Sequence, residues 1–233
     1  MGAQELLPKI RRRLRRLVRR KLRFGDIGGT APISDHFGFD RGTPIDRHYI
    51  EQFLRDNAGA VHGRVLEIGD DAYCRKFGGD RVSHCDILHI RAVPKATIVG
   101  DMSQPGVLPR DTFDCAIVTQ TLQFIYDMRA ALEQLHASLK PGGVLLLTVP
   151  GISQIPRDEW GASCFWTLTP LSISRLMQEV FGKGEVTIGC HGNVFAATAF
   201  LQGVAVEDID ARKLEITDPC YPVTVTASAR RAG

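Results

Sequence analysis

Short apolar runs alternate with segments of helical periodicity along the body of this chain. The seven apolar runs predict strands at 65–68, 82–87, 97–99, 113–118, 144–149, 185–189 and 222–229, and helices are predicted at 126–139 and 171–181. Strands and helices that alternate in this way are typical of a Rossmann-like α/β domain. The pattern therefore predicts a mostly parallel seven-stranded sheet with helices on both faces and a ligand at the carboxyl ends of the strands.

A further helix is predicted before the first strand. The segment Thr43-Pro44-Ile45-Asp46 offers a hydroxyl N-cap, a proline in the first turn and an acid three residues after the cap. Ile45, Tyr49 and Phe53 then lie on one face, and the helix is expected to end near Asn57.

The segment Lys140-Pro141-Gly142-Gly143 is expected to stop the helix at 126–139 and turn the chain into the next strand. That strand, 144–149, is an unbroken apolar run, which is typical of a strand covered on both faces. Parallel packing in the middle of the sheet is therefore expected.

Charge is distributed unevenly along the 233 residues. Residues 9–23 hold ten Lys and Arg and no acid, whereas the rest of the chain holds 19 basic and 26 acidic residues. A glycine-rich stretch at 25–32 follows the basic segment and has the composition of a hinge. We therefore predict a basic amphipathic arm and hinge at 1–32 and one domain at 33–233.

Most charges of the arm lie opposite an apolar stripe, although Arg11 and Lys21 fall within it. Ile10, Leu14, Leu17, Val18 and Leu22 fall within an arc of about 140° on a helix. This pattern favours peripheral contact with an anionic membrane surface. Nucleic acid is disfavoured because no aromatic residue interrupts the charges. An acidic protein partner such as a glycosyltransferase, or no partner at all, remains an alternative.

The six cysteines are scattered and include no C-x-x-C pair, which argues against a zinc site or a disulfide framework. We expect reduced thiols, a cytoplasmic location and no bound metal. No apolar run approaches the ~20 residues that a membrane-spanning helix requires.

Acidic residues follow three of the predicted strands. Glu67 and Gly69 end the first strand, Asp86 ends the second 19 residues after Glu67, and Asp101 follows the third. An acid after the second strand can accept hydrogen bonds from two ribose hydroxyls. These acids are expected to meet at one edge of the sheet.

The segment 63–150 resembles the class I S-adenosylmethionine-dependent methyltransferases. The resemblance is carried, in order, by Val65-Leu66-Glu67-Ile68-Gly69, Asp86, Gly100-Asp101, Phe113-Asp114 and Leu139-Lys140-Pro141-Gly142-Gly143. It implies the class I methyltransferase fold and S-adenosylmethionine as the cofactor. It assigns the methionine end of the cofactor to Gly69, the ribose to Asp86, and the adenine to Asp101 and the backbone of Met102.

The same resemblance implies that Glu67 orients the glycine loop or reaches the cofactor ammonium. It also implies that Gln120 and Thr121 line the transfer cavity. The loop departs from the usual G-x-G pattern, because Asp70 and Asp71 follow Gly69. Acids at this place would repel the pyrophosphate of a dinucleotide but suit a cofactor without phosphate.

A second resemblance, to a methyltransferase subgroup associated with bacterial glycosyltransferases, rests on 40–51, on Glu67-Ile68-Gly69-Asp70, on 119–123 and on Trp166 near Thr169-Pro170. It implies that the segment from Arg41 to Tyr49 forms a lid over the cofactor. The alternative is a capped helix that only packs on the sheet. Thr167 stands where many members of this subgroup have arginine, so the contact made by that arginine is in doubt here.

Methyl transfer to an oxygen benefits from a general base, most often a histidine. His36, before the predicted lid, and His191, beyond the sixth strand, are the candidates, although loop histidines also occur without a catalytic role. Trp160, Phe165 and Trp166 follow the fifth strand and could serve either substrate stacking or the core.

These observations predict a methyltransferase that modifies a hydroxyl of a saccharide or related metabolite. Two alternatives stay open: methylation of a nitrogen or carboxylate of a small natural product, and a non-catalytic scaffold that keeps the fold and serves a partner enzyme.

Overall fold

The computed structural model describes residues 28–182 and 186–233, and residues 33–233 form one compact unit. The predicted basic helix of the arm lies outside the described residues. Among the helices of the described part, none is both long enough and apolar enough to cross a membrane.

Seven strands form one sheet, in the order β3-β2-β1-β4-β5-β7-β6. The strands are β1 (Gly63–Ile68), β2 (Val82–His89), β3 (Ile98–Val99), β4 (Phe113–Thr119), β5 (Leu139–Pro150), β6 (Val186–His191) and β7 (Thr224–Arg230). All neighbouring pairs are parallel except those that involve β7. The predicted mostly parallel seven-stranded sheet is therefore confirmed.

The helices are α1 (Ile45–Asp56), α2 (Met128–Ser138), α3 (Pro170–Phe181) and α4 (Val194–Leu201). Side chains that alternate along the strands belong to different apolar clusters. Leu66 and Leu145 pack with α2 and α3, whereas Val65 and Leu146 pack with α1. Both faces of the sheet are therefore covered by helices, which explains the unbroken apolar runs of its central strands.

The start of α1 differs from the prediction. Thr43 does not cap the helix: Pro44 is at the N-cap position, and no side chain accepts a hydrogen bond there. The Thr43 hydroxyl instead donates to Glu207 at 2.7 Å. The predicted apolar face is correct, since Ile45, Tyr49 and Phe53 are all buried.

Other elements also differ from the prediction. Lys140-Pro141-Gly142-Gly143 forms part of β5, as a bulge across which the partner residues shift from Leu139–Phe113 to Val144–Cys115. The strand β2 continues beyond 87 to His89, so that Asp86 pairs with Leu66 inside the sheet. Helix α4 was not predicted, because its sequence is apolar on every side and shows no helical periodicity.

Candidate functional site

A cavity of about 1180 Å³ opens at the carboxyl ends of the parallel strands. Its walls include residues at the ends of β1, β2, β3 and β4 or just after them, namely Gly69, His89, Asp101 and Gln120. Parallel strands bring their ends to one edge, so the fold assembles this site from segments that are distant in sequence.

Gly69 forms the turn after β1 and lines the cavity, as predicted. Its φ of +86° is a conformation that residues with a side chain rarely adopt. A Cβ built on Gly69 would meet no protein atom within 4 Å. The turn therefore presents bare backbone to the open space of the cavity.

Glu67 lies beneath this turn and does not line the cavity. Its two carboxylate oxygens accept hydrogen bonds from the backbone N–H groups of Tyr73 at 3.0 Å and Cys74 at 2.7 Å. Burial raises the pKa of Glu67 to about 7, although these two hydrogen bonds act in the opposite direction. These contacts are those of a residue that orients the glycine loop, and they do not bring Glu67 to the position of a ligand in the cavity.

Asp86 does not reach the cavity, which corrects its predicted position at the ribose. Its carboxylate accepts hydrogen bonds from Arg64 at 2.7 and 3.3 Å and from the Thr97 hydroxyl at 3.1 Å. The error arose because β2 is longer than its apolar run indicates. His89, three residues later, ends β2 and lines the cavity in its place.

Asp101 and Met102 line the cavity after β3, as predicted. One carboxylate oxygen of Asp101 accepts hydrogen bonds from the backbone N–H and the hydroxyl of Ser103, at 2.9 and 2.8 Å. Met102 is buried in the apolar cluster that contains α2 and α3. This turn is thereby held rigidly at the cavity wall.

Gln120 and Thr121 also lie in the wall, as predicted, and Gln123 joins them. Gln120 has a φ of +46°, an uncommon conformation for a residue with a side chain. The Gln120 Nε2 and Gln123 Oε1 atoms are buried and have no hydrogen-bond partner among the described residues. Buried polar atoms are nearly always paired, so these two are suited to bind a ligand.

The predicted lid residues Arg41 and Tyr49 do not line the cavity. Arg41 forms an ion pair with Asp208 at 2.8 Å, and the buried Tyr49 donates its hydroxyl hydrogen bond to the Leu214 carbonyl at 3.1 Å. Helical rotation explains the correction, because the face of α1 that carries Tyr49 turns toward the core. Asp46 and Arg47, on other faces of the same helix, line the cavity.

The two candidate bases are separated by the fold. His36 lines the cavity with its side chain 76% exposed, 3.4 Å from Asp35. His191 lies outside the cavity: it stacks on Tyr49 at 5.7 Å, and its Nε2 is 3.1 Å from the Thr226 hydroxyl. Burial lowers the pKa of His191, and its assignment as a general base is contradicted by its position.

Aromatic rings surround the mouth of the cavity. Trp160 and Phe165 line it, and each contacts a further lining ring: Phe124 lies 5.6 Å from Trp160, and Tyr126 lies 5.5 Å from Phe165. Trp166 instead packs against the core and donates a hydrogen bond to the Ile125 carbonyl at 3.2 Å. The aromatic segment is therefore divided between the cavity and the core.

All six cysteines are free thiols. Ligand atoms of Glu67, Cys74 and Cys85 lie within 4.8 Å of one another on the inner side of the β1 turn. The two carboxylate oxygens of Glu67 already accept backbone hydrogen bonds there.

Comparison with known proteins agrees with this geometry. A family model described as a methyltransferase domain matches residues 44–180. No curated protein sequence matches the chain.

Three solved structures share the fold at low sequence identity. N-methyltransferase NodS from Bradyrhizobium japonicum WM9, in complex with S-adenosyl-L-homocysteine, is 18% identical with a TM-score of 0.53, over 89% of this chain and 95% of that chain. An S-adenosylmethionine-dependent methyltransferase from Mesorhizobium loti is 17% identical with a TM-score of 0.52, over 83% and 100%. The 4+2 cyclase SpnF is 15% identical with a TM-score of 0.55, over 82% and 83%.

The match to the family model spans more than half of the chain and includes α1, the β1 turn and the strand ends that surround the cavity. The chain therefore belongs to the family of methyltransferase domains, and S-adenosylmethionine is its methyl donor, as the sequence predicts.

Proposed function

We propose that this protein transfers the methyl group of S-adenosylmethionine to a hydroxyl of a saccharide or a related hydroxylated metabolite. The observation that carries the proposal is the mouth of the cavity, where exposed aromatic rings stand beside carboxylates. Tyr126 is 71% exposed and Phe165 is 48% exposed, and Asp127 lines the cavity directly after Tyr126.

The residues of the cavity fit the cofactor. S-adenosylmethionine carries a sulfonium, an ammonium and a carboxylate but no phosphate, and the cavity is lined by five aspartates and two arginines. The bare backbone of Gly69 allows close approach of a ligand. Asp101, Gln120 and Gln123 line this cavity and would contact the cofactor or the acceptor. The buried Gln120 Nε2 and Gln123 Oε1 atoms have no hydrogen-bond partner among the described residues, which suits them to that role.

When bound, the cofactor supplies an electrophilic methyl group on its sulfonium. The protein then has to align the acceptor oxygen with that methyl group and exclude water, and such positioning can lower the barrier by several kcal/mol, on the order of 7 or more in the best cases. His36 is the candidate to accept the hydroxyl proton, because it lines the cavity with a side chain that is 76% exposed, whereas the other lining histidine, His89, is the last residue of β2. A positioned general base contributes about 100- to 10,000-fold.

The aromatic mouth supports a ring-shaped acceptor with hydroxyls. The apolar faces of a sugar ring pack on aromatic side chains, while carboxylates accept hydrogen bonds from its hydroxyl groups. Asp127 and Asp158 each use one oxygen to cap a helix, at Ala130 and Trp160 respectively. Their other oxygens accept no hydrogen bond from the described residues and are available to an acceptor hydroxyl.

An amine acceptor is the second candidate. The same carboxylates would attract an ammonium group, and aromatic rings bind cations through their faces. Fold alone does not distinguish these reactions, since a cyclase shares it. The choice therefore depends on the mouth residues and has to be made by experiment.

The test is a screen of methyl transfer with hydroxylated and amine acceptors matched in size, in which formation of S-adenosylhomocysteine and the mass of the methylated product are both measured. We expect methylated sugars or nucleotide sugars. Tyr126→Ala and Phe165→Ala should raise KM for the acceptor by about tenfold, in line with loss of one aromatic contact. Tyr221→Ala is the matched control, because Tyr221 is 40% exposed and lies outside the cavity.

His36→Ala should lower kcat about 100-fold or more with a hydroxyl acceptor. Exclusive turnover of amines, or unchanged kcat in the His36 variant, would contradict the proposal. Absence of a methylated product with both classes of acceptor would also contradict the proposal.

We also propose that the basic arm brings the enzyme to an anionic membrane surface where saccharides are assembled. Support for this comes from the ten basic residues and the apolar stripe at 9–23. Docking on an acidic partner, such as a glycosyltransferase of the resembled subgroup, is the competing interpretation of the same charges.

A further inference from the structure

The guanidinium group of Arg47 is held in place at the wall of the cavity. Its Cζ lies 5.7 Å from the centre of the Phe39 ring and 5.9 Å from that of Tyr73, so two aromatic side chains flank it. One nitrogen donates a hydrogen bond to the Tyr73 hydroxyl at 2.9 Å. Within the described residues this is the only hydrogen bond from the five N–H groups of Arg47.

Asp46 stands beside this guanidinium and also lines the cavity. Its Oδ1 atom is buried and has no hydrogen-bond partner among the described residues. Burial raises the pKa of Asp46, although the neighbouring Arg47 acts in the opposite direction. A buried carboxylate oxygen without a partner is unfavourable unless a ligand supplies a donor.

The adjacent positions of these two charges match one chemical group, an α-amino acid. A carboxylate pairs with the planar fork of a guanidinium through two parallel hydrogen bonds, and an ammonium pairs with a carboxylate. Of the two arginines that line the cavity, Arg157 is 66% exposed and already pairs with Asp35. Arg47, which is only partly exposed, is therefore the more enclosed of the two guanidinium groups that line the cavity.

The location selects the methionine end of the cofactor. Tyr73 follows the Gly69 turn by four residues, and Asp70 in that turn contributes to the electrostatic environment of Arg47. Asp101 and Met102 form a separate wall after β3. The start of α1 is thus joined by the Arg47–Tyr73 hydrogen bond to the segment that follows the Gly69 turn, which the family resemblance assigns to the methionine group.

We propose that Asp46 and Arg47 bind the amino-acid end of S-adenosylmethionine, with the guanidinium on its carboxylate and the aspartate on its ammonium. This site would bind the cofactor whichever acceptor the enzyme methylates. Cofactor binding is thereby assigned to α1, through two residues of the segment 41–49 for which the sequence indicated no individual binding role.

The test compares two ligands by isothermal titration calorimetry on the full chain. S-adenosylhomocysteine carries the amino-acid end, whereas 5′-methylthioadenosine keeps the adenosine and the thioether but lacks that end. Arg47→Met and Asp46→Asn should each weaken S-adenosylhomocysteine binding about 10- to 100-fold, the range for loss of a hydrogen bond to a charged group. Binding of 5′-methylthioadenosine should change less than about twofold in the same variants.

Arg41→Met is the matched control, because Arg41 lies close in sequence but pairs with Asp208 outside the cavity. It should leave both affinities unchanged. Arg47→Lys keeps the charge but not the planar fork, and we expect an intermediate loss.

Equal weakening of both ligands in the Arg47 variant would overturn the proposal, since it would indicate a general disturbance of the cavity. Unchanged S-adenosylhomocysteine binding would also overturn it, and would assign the pair to the acceptor or to structure. A variant that does not fold is identified by its thermal unfolding curve, and the Arg47→Lys and Asp46→Asn proteins then decide the question.

Discussion

Glu67 illustrates how one buried carboxylate can set the shape of a binding turn. It is 2% exposed, and its two oxygens hold the backbone of Tyr73 and Cys74. The pKa of about 7 means that the folded protein binds a proton more tightly at this group than the unfolded chain does.

The consequence is a pH dependence of stability. A raised carboxyl pKa contributes stability that is fully present below the unfolded value of about 4.5 and is lost as the pH rises through about 7. The contribution is on the order of 3 kcal/mol. As the pH rises from 5 to 8, wild type should therefore lose this contribution while Glu67→Gln does not. The difference in free energy of unfolding between the two proteins, measured by urea titration at each pH, should shift in favour of the variant.

Glu133→Gln is the control, because the Glu133 side chain is 52% exposed on α2. Its free energy of unfolding should follow that of wild type across the same range. Parallel curves for the Glu67 variant and wild type would show that Glu67 titrates as an ordinary carboxyl.

Asp86 and His89 allow a direct comparison of the sequence prediction with the structure. Asp86→Asn removes one charge of the pair with Arg64 inside the sheet. It should lower the free energy of unfolding by about 2 kcal/mol, less than for a fully buried pair, because Arg64 is 44% exposed. Its affinity for S-adenosylhomocysteine should be unchanged.

His89→Ala should show the reverse. It removes a side chain from the cavity wall at the end of β2, so we expect about 3- to 10-fold weaker S-adenosylhomocysteine binding with a small change in stability. Calorimetric titration and urea unfolding of the two variants measure both effects. If Asp86→Asn weakened S-adenosylhomocysteine binding and His89→Ala did not, Asp86 would again be assigned to the ribose of the cofactor.

At the scale of elements, α3 follows the aromatic segment of the cavity mouth and has a reciprocal cap. The Thr169 hydroxyl accepts a hydrogen bond from the Ser172 backbone N–H at 3.1 Å, and the Ser172 hydroxyl accepts one from the Thr169 N–H at 3.1 Å. Pro170 begins the helix, where its missing N–H is not needed. The local sequence thus determines where this helix starts.

Thr169→Ala should lower the free energy of unfolding by about 1 kcal/mol, the usual value of an N-cap hydroxyl. Thr167→Ala is the control, since Thr167 is exposed two residues earlier and lies outside the cap. Thermal unfolding of both variants measures the difference. An equal effect of the two substitutions would show that the cap does not stabilise the fold.

Elements also differ in how well the sequence predicts them. Helix α3 and strand β4 follow from local signals, a cap with proline and a short apolar run. Helix α4 does not, because it is apolar on every side and its burial depends on contacts with α1. The true end of β2 was missed because His89 is polar, although the strand continues through it.

In the whole molecule, the folded domain forms the cavity, whereas the arm carries the excess of positive charge. The sheet order places the ends of four parallel strands around one cavity. The basic residues at 9–23 lie outside the described part of the structure, and their charge is opposite to that of the rest of the chain. The membrane proposal therefore depends on the full chain.

Replacement of Arg12, Arg15 and Arg19 by Gln should lower the affinity for phosphatidylglycerol vesicles by about 100-fold, because each basic residue near an anionic surface contributes roughly 1 kcal/mol. Co-sedimentation with the vesicles measures this affinity. The control replaces Lys95, Arg110 and Arg175, which are exposed outside the arm, and changes net charge equally. Equal binding of both variants, or equal binding to phosphatidylcholine vesicles, would contradict membrane contact through the arm.

The sequence alone determined the succession of the seven strands and of helices α1 to α3, together with the Gly69 turn, because apolar periodicity and glycine conformation are local properties. The family followed from a resemblance carried by the motifs at 63–150. Tertiary structure decided which polar side chains face the cavity. A strand that extends past its apolar run moved the wall position from Asp86 to His89, and the rotation of α1 turned Tyr49 into the core while Asp46 and Arg47 reached the ligand space. Side-chain direction depends on register and helix packing, which only the assembled sheet and its helices fix.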